Sequence, residues 1–223
     1  MKSARAWLKY IATLGMLSLL GASMNACSKP DVIWEEEVLL HDGGRVVVTR
    51  TVEHGGRHEI MQKAIKEQSL RFTLPGTDET VIWEDKYDKD IGTASFLPMQ
   101  LEILGNTAYL TAYPMGCLSY NKWGRPNPPY VVFRYQGKTW QRIALQELPA
   151  EFTKLNLVFS SPDDAATEVK SNFVSAANIK KLNSTAKQPE FQAILREPMA
   201  KGTGVCPKIP GGPQAPIPIP PKQ

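Results

Sequence analysis

The stretch FLPMQLEILGNTAYLTAY, residues 96–113, decides the fold of this chain. In its first half the apolar residues Met99, Leu101 and Ile103 alternate with polar ones, which is the two-residue period of a strand with one buried face. The dipeptide Gly105-Asn106 then interrupts the run, and a second alternating run follows it. A two-residue Gly-Asn connection is typical of a tight hairpin, so the stretch predicts two paired antiparallel strands.

Similar patterns occur on both sides of this hairpin. Val32–Leu40 and Arg45–Val52 flank a Gly-Gly turn, and Tyr130–Tyr135 and Thr139–Leu145 flank Gln-Gly-Lys. We therefore predict a mainly β (β-rich α+β) fold, in which antiparallel hairpins form a sheet, sandwich or barrel-like domain. Apolar residues at helical spacing also predict a short helix over Glu59–Gln68.

The last third of the chain has a different character. A helical segment is predicted over about residues 161–182, because Pro162 suits a first helical position and Asp163-Asp164 complement the helix dipole. Pro207–Gln223 holds seven prolines and is predicted to be a disordered, extended tail. Residues 27–206 are thus expected to form one globular domain.

The first residues carry a basic and then an apolar pattern. Lys2, Arg5 and Lys9 precede an uncharged run from Tyr10 to Ala26, which is short for a membrane span of ~20 residues and predicts a signal peptide over residues 1–26. The whole chain has 26 Lys+Arg and 22 Asp+Glu. Without the three leader cations the balance is 23 against 22, which argues against a nucleic-acid partner because such proteins need a basic surface.

The leader ends in Met24-Asn25-Ala26-Cys27, which resembles the lipobox of bacterial lipoprotein precursors. Asn25 is larger than the residue usual in that family. The resemblance implies cleavage behind Ala26, a lipid on Cys27, and attachment of the protein to a membrane. Ser28, in place of Asp, implies sorting to the outer membrane of a Gram-negative cell envelope.

Two alternatives to lipidation remain open. Ordinary cleavage after Ser23 would release a soluble periplasmic protein with Cys27 as a free thiol, and an uncleaved leader would act as an anchor. If Cys27 carries lipid, Cys117 and Cys206 are left as a pair in an oxidising compartment, and we predict a disulfide between them.

A Pro-rich connection, Pro114–Pro129, separates the last two predicted hairpins and is expected to lack regular structure. Its part Leu118–Pro129 is the candidate binding loop, because Tyr120, Trp123 and Arg125 are residue types that dominate interface energetics. The competing interpretation, which we favour, is that Tyr120 and Trp123 fold back as a lid over the sheet.

Signals for catalysis are weak. His54 and His58 flank a Gly-Gly loop that would not hold a metal rigidly, and no Gly-x-Ser-x-Gly, Walker or helical His-Glu-x-x-His motif occurs. We assign no catalytic, cofactor or metal residues. The expected function is a non-catalytic module that binds an envelope protein or polysaccharide; the alternative is a periplasmic hydrolase or carbohydrate-active enzyme with its site near residues 118–129.

Overall fold

The computed structural model describes residues 30–56, 64–159, 172–200 and 206–216. The fold is mainly β, as predicted, with nine strands and two α-helices in the described residues. The strands are β1 (Val32–Leu39), β2 (Arg45–His54), β3 (Ile65–Thr73), β4 (Thr80–Asp85), β5 (Phe96–Leu104), β6 (Thr107–Pro114), β7 (Val131–Gln136), β8 (Thr139–Ile143) and β9 (Phe173–Val174). The helices are α1 (Gly116–Lys122) and α2 (Ala176–Asn183).

The strands form two sheets that are not closed into a barrel. Sheet I has the order β4-β3-β2-β1-β9 and sheet II the order β5-β6-β7-β8. All neighbours are antiparallel except β1 and β9, which are parallel. The predicted hairpin over residues 96–113 is confirmed, with Leu104 opposite Thr107 at its turn.

The main core lies between the sheets. Alternating positions of both sheets contribute to one apolar cluster, which includes Val48 and Leu70 from sheet I and Leu101 and Leu110 from sheet II, all fully buried. This is the arrangement that a two-residue period requires when two sheets pack face to face. A second cluster, around Phe152, covers the other side of sheet II.

Two predicted elements differ in the structure. The helix over Glu59–Gln68 is wrong from Ile65 onward, because these residues form the first part of β3 and pair with β2; residues 57–63 lie outside the described part of the chain. Pro114–Pro129 is not without regular structure, because α1 lies within it.

The C-terminal third also differs in detail. Of the predicted helical segment, residues 161–171 lie outside the described residues, Phe173–Val174 form β9, and α2 begins after Ser175, whose side chain accepts the Asn178 N–H. The first part of the predicted disordered tail, residues 207–216, lies against the domain through hydrogen bonds to α1. Neither helix in the described residues is long and apolar enough to cross a bilayer.

Candidate binding cleft

A cleft of about 400 Å³ opens at the side of the molecule, where sheet I ends and sheet II begins. Its walls are the end of β4, the segment 86–90 that follows it, and the C-terminal end of α1 with Trp123. A volume of this size is in the range of small-molecule and peptide sites. We call this space the lateral cleft.

Four aromatic rings form the floor of the lateral cleft. Phe96 lies at the centre, with ring centroids 4.5 Å from Trp123, 5.3 Å from Phe133 and 6.2 Å from Trp83. Trp83, Phe96 and Phe133 are at most 9% exposed, whereas Trp123 is partly buried. The guanidinium of Arg142 covers Trp123 at 5.2 Å from the ring centroid. The four rings therefore pack against one another and form the base of the cleft.

Asp85 holds the two sheets together beneath the cleft. Its carboxylate accepts the N–H groups of Ser95 and Phe96 at 2.8–3.0 Å and the side-chain amide of Gln68 at 3.1 Å. Burial raises the pKa of Asp85 to about 6, against the lowering effect of these hydrogen bonds. Each carboxylate oxygen has a partner within the protein, so Asp85 fixes the backbone of the cleft.

Lys122 closes one end of the cleft. Its ammonium lies 2.7 Å from a carboxylate oxygen of Asp88 and 2.8 Å from one of Asp90. This contact lowers the pKa of Asp90, chiefly through the hydrogen bond. These ion pairs join the end of α1 to the segment 86–90, so the two walls of the cleft are held together at this end.

The candidate loop residues separate in the structure. Trp123 enters the floor of the lateral cleft, whereas Tyr120 is buried on another side of α1. Arg125 stacks on Tyr120 at 4.9 Å and donates hydrogen bonds to the side-chain oxygen of Asn121 and to the carbonyl oxygen of Pro207. Trp123 and Tyr120 thus fold back onto the domain, and of the three residues only Trp123 lines the cleft.

The predicted disulfide between Cys117 and Cys206 is confirmed, with the two Cα atoms 5.1 Å apart. It ties residues 206–216, which we call the strap, to the start of α1. The strap continues along α1: the Ile209 N–H bonds to the side chain of Asn121, and the Ala215 N–H bonds to the carbonyl oxygen of Lys122. The strap therefore supports the helix that carries the cleft wall.

Most residues of the cleft were not predicted as a site. A charged segment such as Asp85–Asp90 is typical of a solvated loop, but it forms one wall of the cleft and contains the buried Asp85. Its run of alternating acids and lysines gave no sign of this role, because the contacts with Ser95 and Lys122 depend on tertiary structure.

The two histidines in the described residues, His41 and His54, do not line the lateral cleft. His41 contacts the buried Glu102 through Nδ1 at 2.9 Å, and His54 lies beside Asp31; His58 is outside the described residues, as is Cys27. In the part of the chain that the structure describes, no three His, Cys, Asp or Glu side chains are grouped closely enough to hold a metal ion.

Fold and site together define a two-sheet β protein with an aromatic-floored cleft at the junction of its sheets. Comparisons with family models, with curated proteins and with solved structures find no match to this chain.

Proposed function

We propose that this chain is a lipid-anchored protein of the cell envelope, held in the outer membrane through Cys27, which binds an envelope protein or polymer in the lateral cleft without catalysing a reaction. The anchor rests on the basic leader, the apolar run and the lipobox-like Met24–Cys27. The binding role rests on the cleft.

The observation that carries the binding role is that the least exposed ionisable groups of an otherwise open cleft are already occupied within the protein. Asp85 uses both carboxylate oxygens on internal donors, and Lys122 is held between Asp88 and Asp90. A general acid or base needs a free position from which to exchange a proton with its substrate. Groups held in this way favour recognition over chemistry.

The alternative is a periplasmic hydrolase or carbohydrate-active enzyme that uses the same cleft. One observation favours it: the pKa of Asp85 is about 6, near the range of a general acid. However, Asp85 is only 6% exposed and its hydrogen bonds go to the backbone that shapes the floor. A positioning role accounts for the raised pKa without a reaction.

In-cell photo-crosslinking tests the proposal. We would place a photo-reactive amino acid at Tyr87, which lines the cleft and is 45% exposed, and at Leu104, which is equally exposed but lies at the β5–β6 turn. We expect a discrete protein or glycan adduct from position 87 and none from position 104. Absence of any adduct from position 87 would overturn the binding role.

The anchor has its own test. Cys27→Ser should move the protein from the membrane pellet to the soluble fraction and should weaken the adduct at position 87. A variant that pellets like the unmodified protein would disprove the lipid anchor, whatever the crosslinking shows.

A further inference from the structure

The strands give the domain two distinct ends. β1 begins at Val32, which lies opposite Val52 near the end of β2. β3 begins and β4 ends on the same side, because Gln68 lies opposite Asp85. We call this side of the domain the proximal end. The opposite side, which holds the β1–β2 and β5–β6 turns, is the distal end.

The lateral cleft lies at the proximal end. β4 ends there at Asp85 and β5 begins there at Phe96, and both residues line the cleft. A second groove, of about 220 Å³, adjoins the cleft, because Glu84 and Lys86 line both spaces. Pro30, the first described residue, also lines this second groove. The start of the domain and the cleft are therefore neighbours.

The connection from Pro30 back to Cys27 is very short. Three residue steps separate the two positions. Consecutive Cα atoms are 3.8 Å apart, so the Cα atom of Pro30 lies at most ~11 Å from that of Cys27, whatever conformation the residues between them take. A lipid on Cys27 therefore holds the proximal end close to the bilayer surface.

The distal end is farther from Cys27 than this connection can span. β2 has ten residues and runs between the two ends. At ~3.3 Å per residue, the ends of sheet I are about 30 Å apart. An orientation in which the distal end touches the bilayer and the proximal end points away would need a connection of about that length. The short connection excludes it.

The exposed aromatic side chains also favour the proximal end. Among the described residues, two aromatic side chains are at least 40% exposed, Tyr87 and Phe173. Tyr87 follows the end of β4, and Phe173 lies opposite Glu35 in the first half of β1. Tyrosine is enriched at the level of the lipid headgroups, where its ring is partly buried and its hydroxyl stays in water.

The charges of the proximal end are largely paired with one another. The ion pairs are Asp31 with His54, Glu53 with Lys66, Glu84 with Lys86, and Asp88 and Asp90 with Lys122. A surface of paired opposite charges has little attraction for anionic lipids, which are bound by clusters of unpaired Lys and Arg. Attachment is therefore expected to come from the lipid on Cys27, and orientation from the short connection.

We propose that the proximal end of the domain faces the headgroup layer of the bilayer that holds Cys27, with the lateral cleft beside that layer and the distal end about 30 Å farther out. This inference rests on the proposed lipid anchor and adds the surface that meets the membrane. A partner then reaches the cleft along the membrane surface.

Energy transfer to the headgroup layer measures this orientation. The lipidated full-length protein is reconstituted in phosphatidylcholine vesicles that contain a lipid with an acceptor dye on its headgroup. A donor dye is attached through a clickable amino acid at position 89 in one sample and at position 138 in another. Lys89 and Lys138 are both exposed, and Lys89 follows β4 at the proximal end, whereas Lys138 lies in the β7–β8 turn at the distal end.

We expect energy transfer from position 89 to be severalfold more efficient than from position 138, because the second dye is about 30 Å farther from the acceptors. Equal transfer would mean that the domain lies on its side, and more efficient transfer from position 138 would mean that it is inverted. Either result would overturn the proposed orientation.

A spacer variant tests the cause. About thirty Gly and Ser residues inserted between Ser28 and Lys29 leave the lipobox and the described domain unchanged, and they give the connection an average reach of ~30 Å. Transfer from the two positions should then become nearly equal. If position 89 keeps its advantage, the proximal surface binds lipid by itself, and the short connection is overturned as the cause of the orientation.

Failure of the lipid anchor gives a different result. If Cys27 carries no lipid, neither sample associates with the vesicles and transfer is absent from both positions. That outcome would overturn the proposed anchor together with this inference. Vesicle-bound protein with equal transfer from positions 89 and 138 would overturn the orientation alone.

Discussion

The carboxylate of Asp85, the last residue of β4, accepts the backbone N–H of Phe96, the first residue of β5, at 2.8 Å. The segment between them leaves sheet I and enters sheet II, so this contact, together with those from Ser95 and Gln68 to the same carboxylate, fixes the junction of the two sheets. It also places Phe96 at the centre of the aromatic floor. The position of the lateral cleft therefore depends on a buried acid that its own surroundings make costly to ionise.

That cost should appear in the pH dependence of stability. The folded-state pKa of Asp85 is raised from 3.8 to about 6, so the folded protein binds a proton more tightly than the unfolded chain does. The contribution of Asp85 is then fully present below pH ~4 and decreases as the pH rises through 6, by up to ~3 kcal/mol. Asp85→Asn should lack this component.

The measurement is urea unfolding of both proteins at several pH values between 4 and 7. The comparison uses the slopes with pH, because Asp85→Asn also changes the hydrogen bonds to Ser95 and Phe96 and is expected to be less stable overall. Parallel curves for the two proteins across this range would contradict the raised pKa.

A second buried carboxylate should matter for a different reason. Glu36 is fully buried and accepts hydrogen bonds from Arg50 at 2.9 Å, from the Trp34 indole at 2.8 Å and from the Val158 N–H at 2.9 Å. Glu36→Gln leaves the buried guanidinium without its counter-ion, so we expect a loss of about 3–5 kcal/mol of unfolding free energy. Denaturant unfolding measures it. Glu35→Gln, on the exposed face of the same strand, should change stability by less than ~0.5 kcal/mol.

These two carboxylates show what sequence reasoning could and could not reach. The two-residue period of a strand places Glu36 on the face opposite Glu35 and Glu37, and the burial along β1 agrees with it. A run of three acids on a strand is typical of a solvated edge, but β9, more than 130 residues away, pairs with β1, and Arg50 lies beneath it. Local periodicity tells which side chains share a face of a strand. Whether that face is buried depends on residues far away in the sequence.

The difference between local pattern and tertiary contact also explains which other predicted elements the structure confirms. The hairpin over residues 96–113 was predictable because its turn and its alternation are local. Ile65 was misassigned because apolar residues three to five apart suit a short helix, and pairing with β2 overrides that preference. α1 lies in a Pro-rich stretch and is held by contacts such as the hydrogen bond from the Ser119 hydroxyl to the carbonyl oxygen of Ser95. The cleft combines segments from positions 83–96 and 122–133, which no local pattern connects.

Removal of the disulfide should release the strap. Replacing Cys117 and Cys206 together by Ser opens a connection with a sequence separation of 89 residues. We expect the unfolding free energy to fall by about 2–5 kcal/mol. Hydrogen exchange should also accelerate at Ile209 and Ala215, whose N–H groups bond to α1, more than the loss of global stability alone predicts. Unchanged exchange at these two amides would show that the strap stays in place without the disulfide; reduced unmodified protein serves as the control.

Lys122 should hold the cleft wall without contributing much to global stability. Its ammonium is partly exposed, and such ion pairs are worth at most ~1 kcal/mol. In Lys122→Met, the pKa of Asp90 should rise toward its ordinary value, since the lost hydrogen bond is the main cause of its lowering. Amides of residues 86–92 should exchange faster while the unfolding midpoint changes little.

Lys89→Met is the matched control, because Lys89 lies on the same wall but is not ion-paired with either aspartate in the described residues. If both variants exchange alike, the wall is held by its backbone hydrogen bonds, such as the one from the Asp88 N–H to the carbonyl oxygen of Thr93, and not by Lys122.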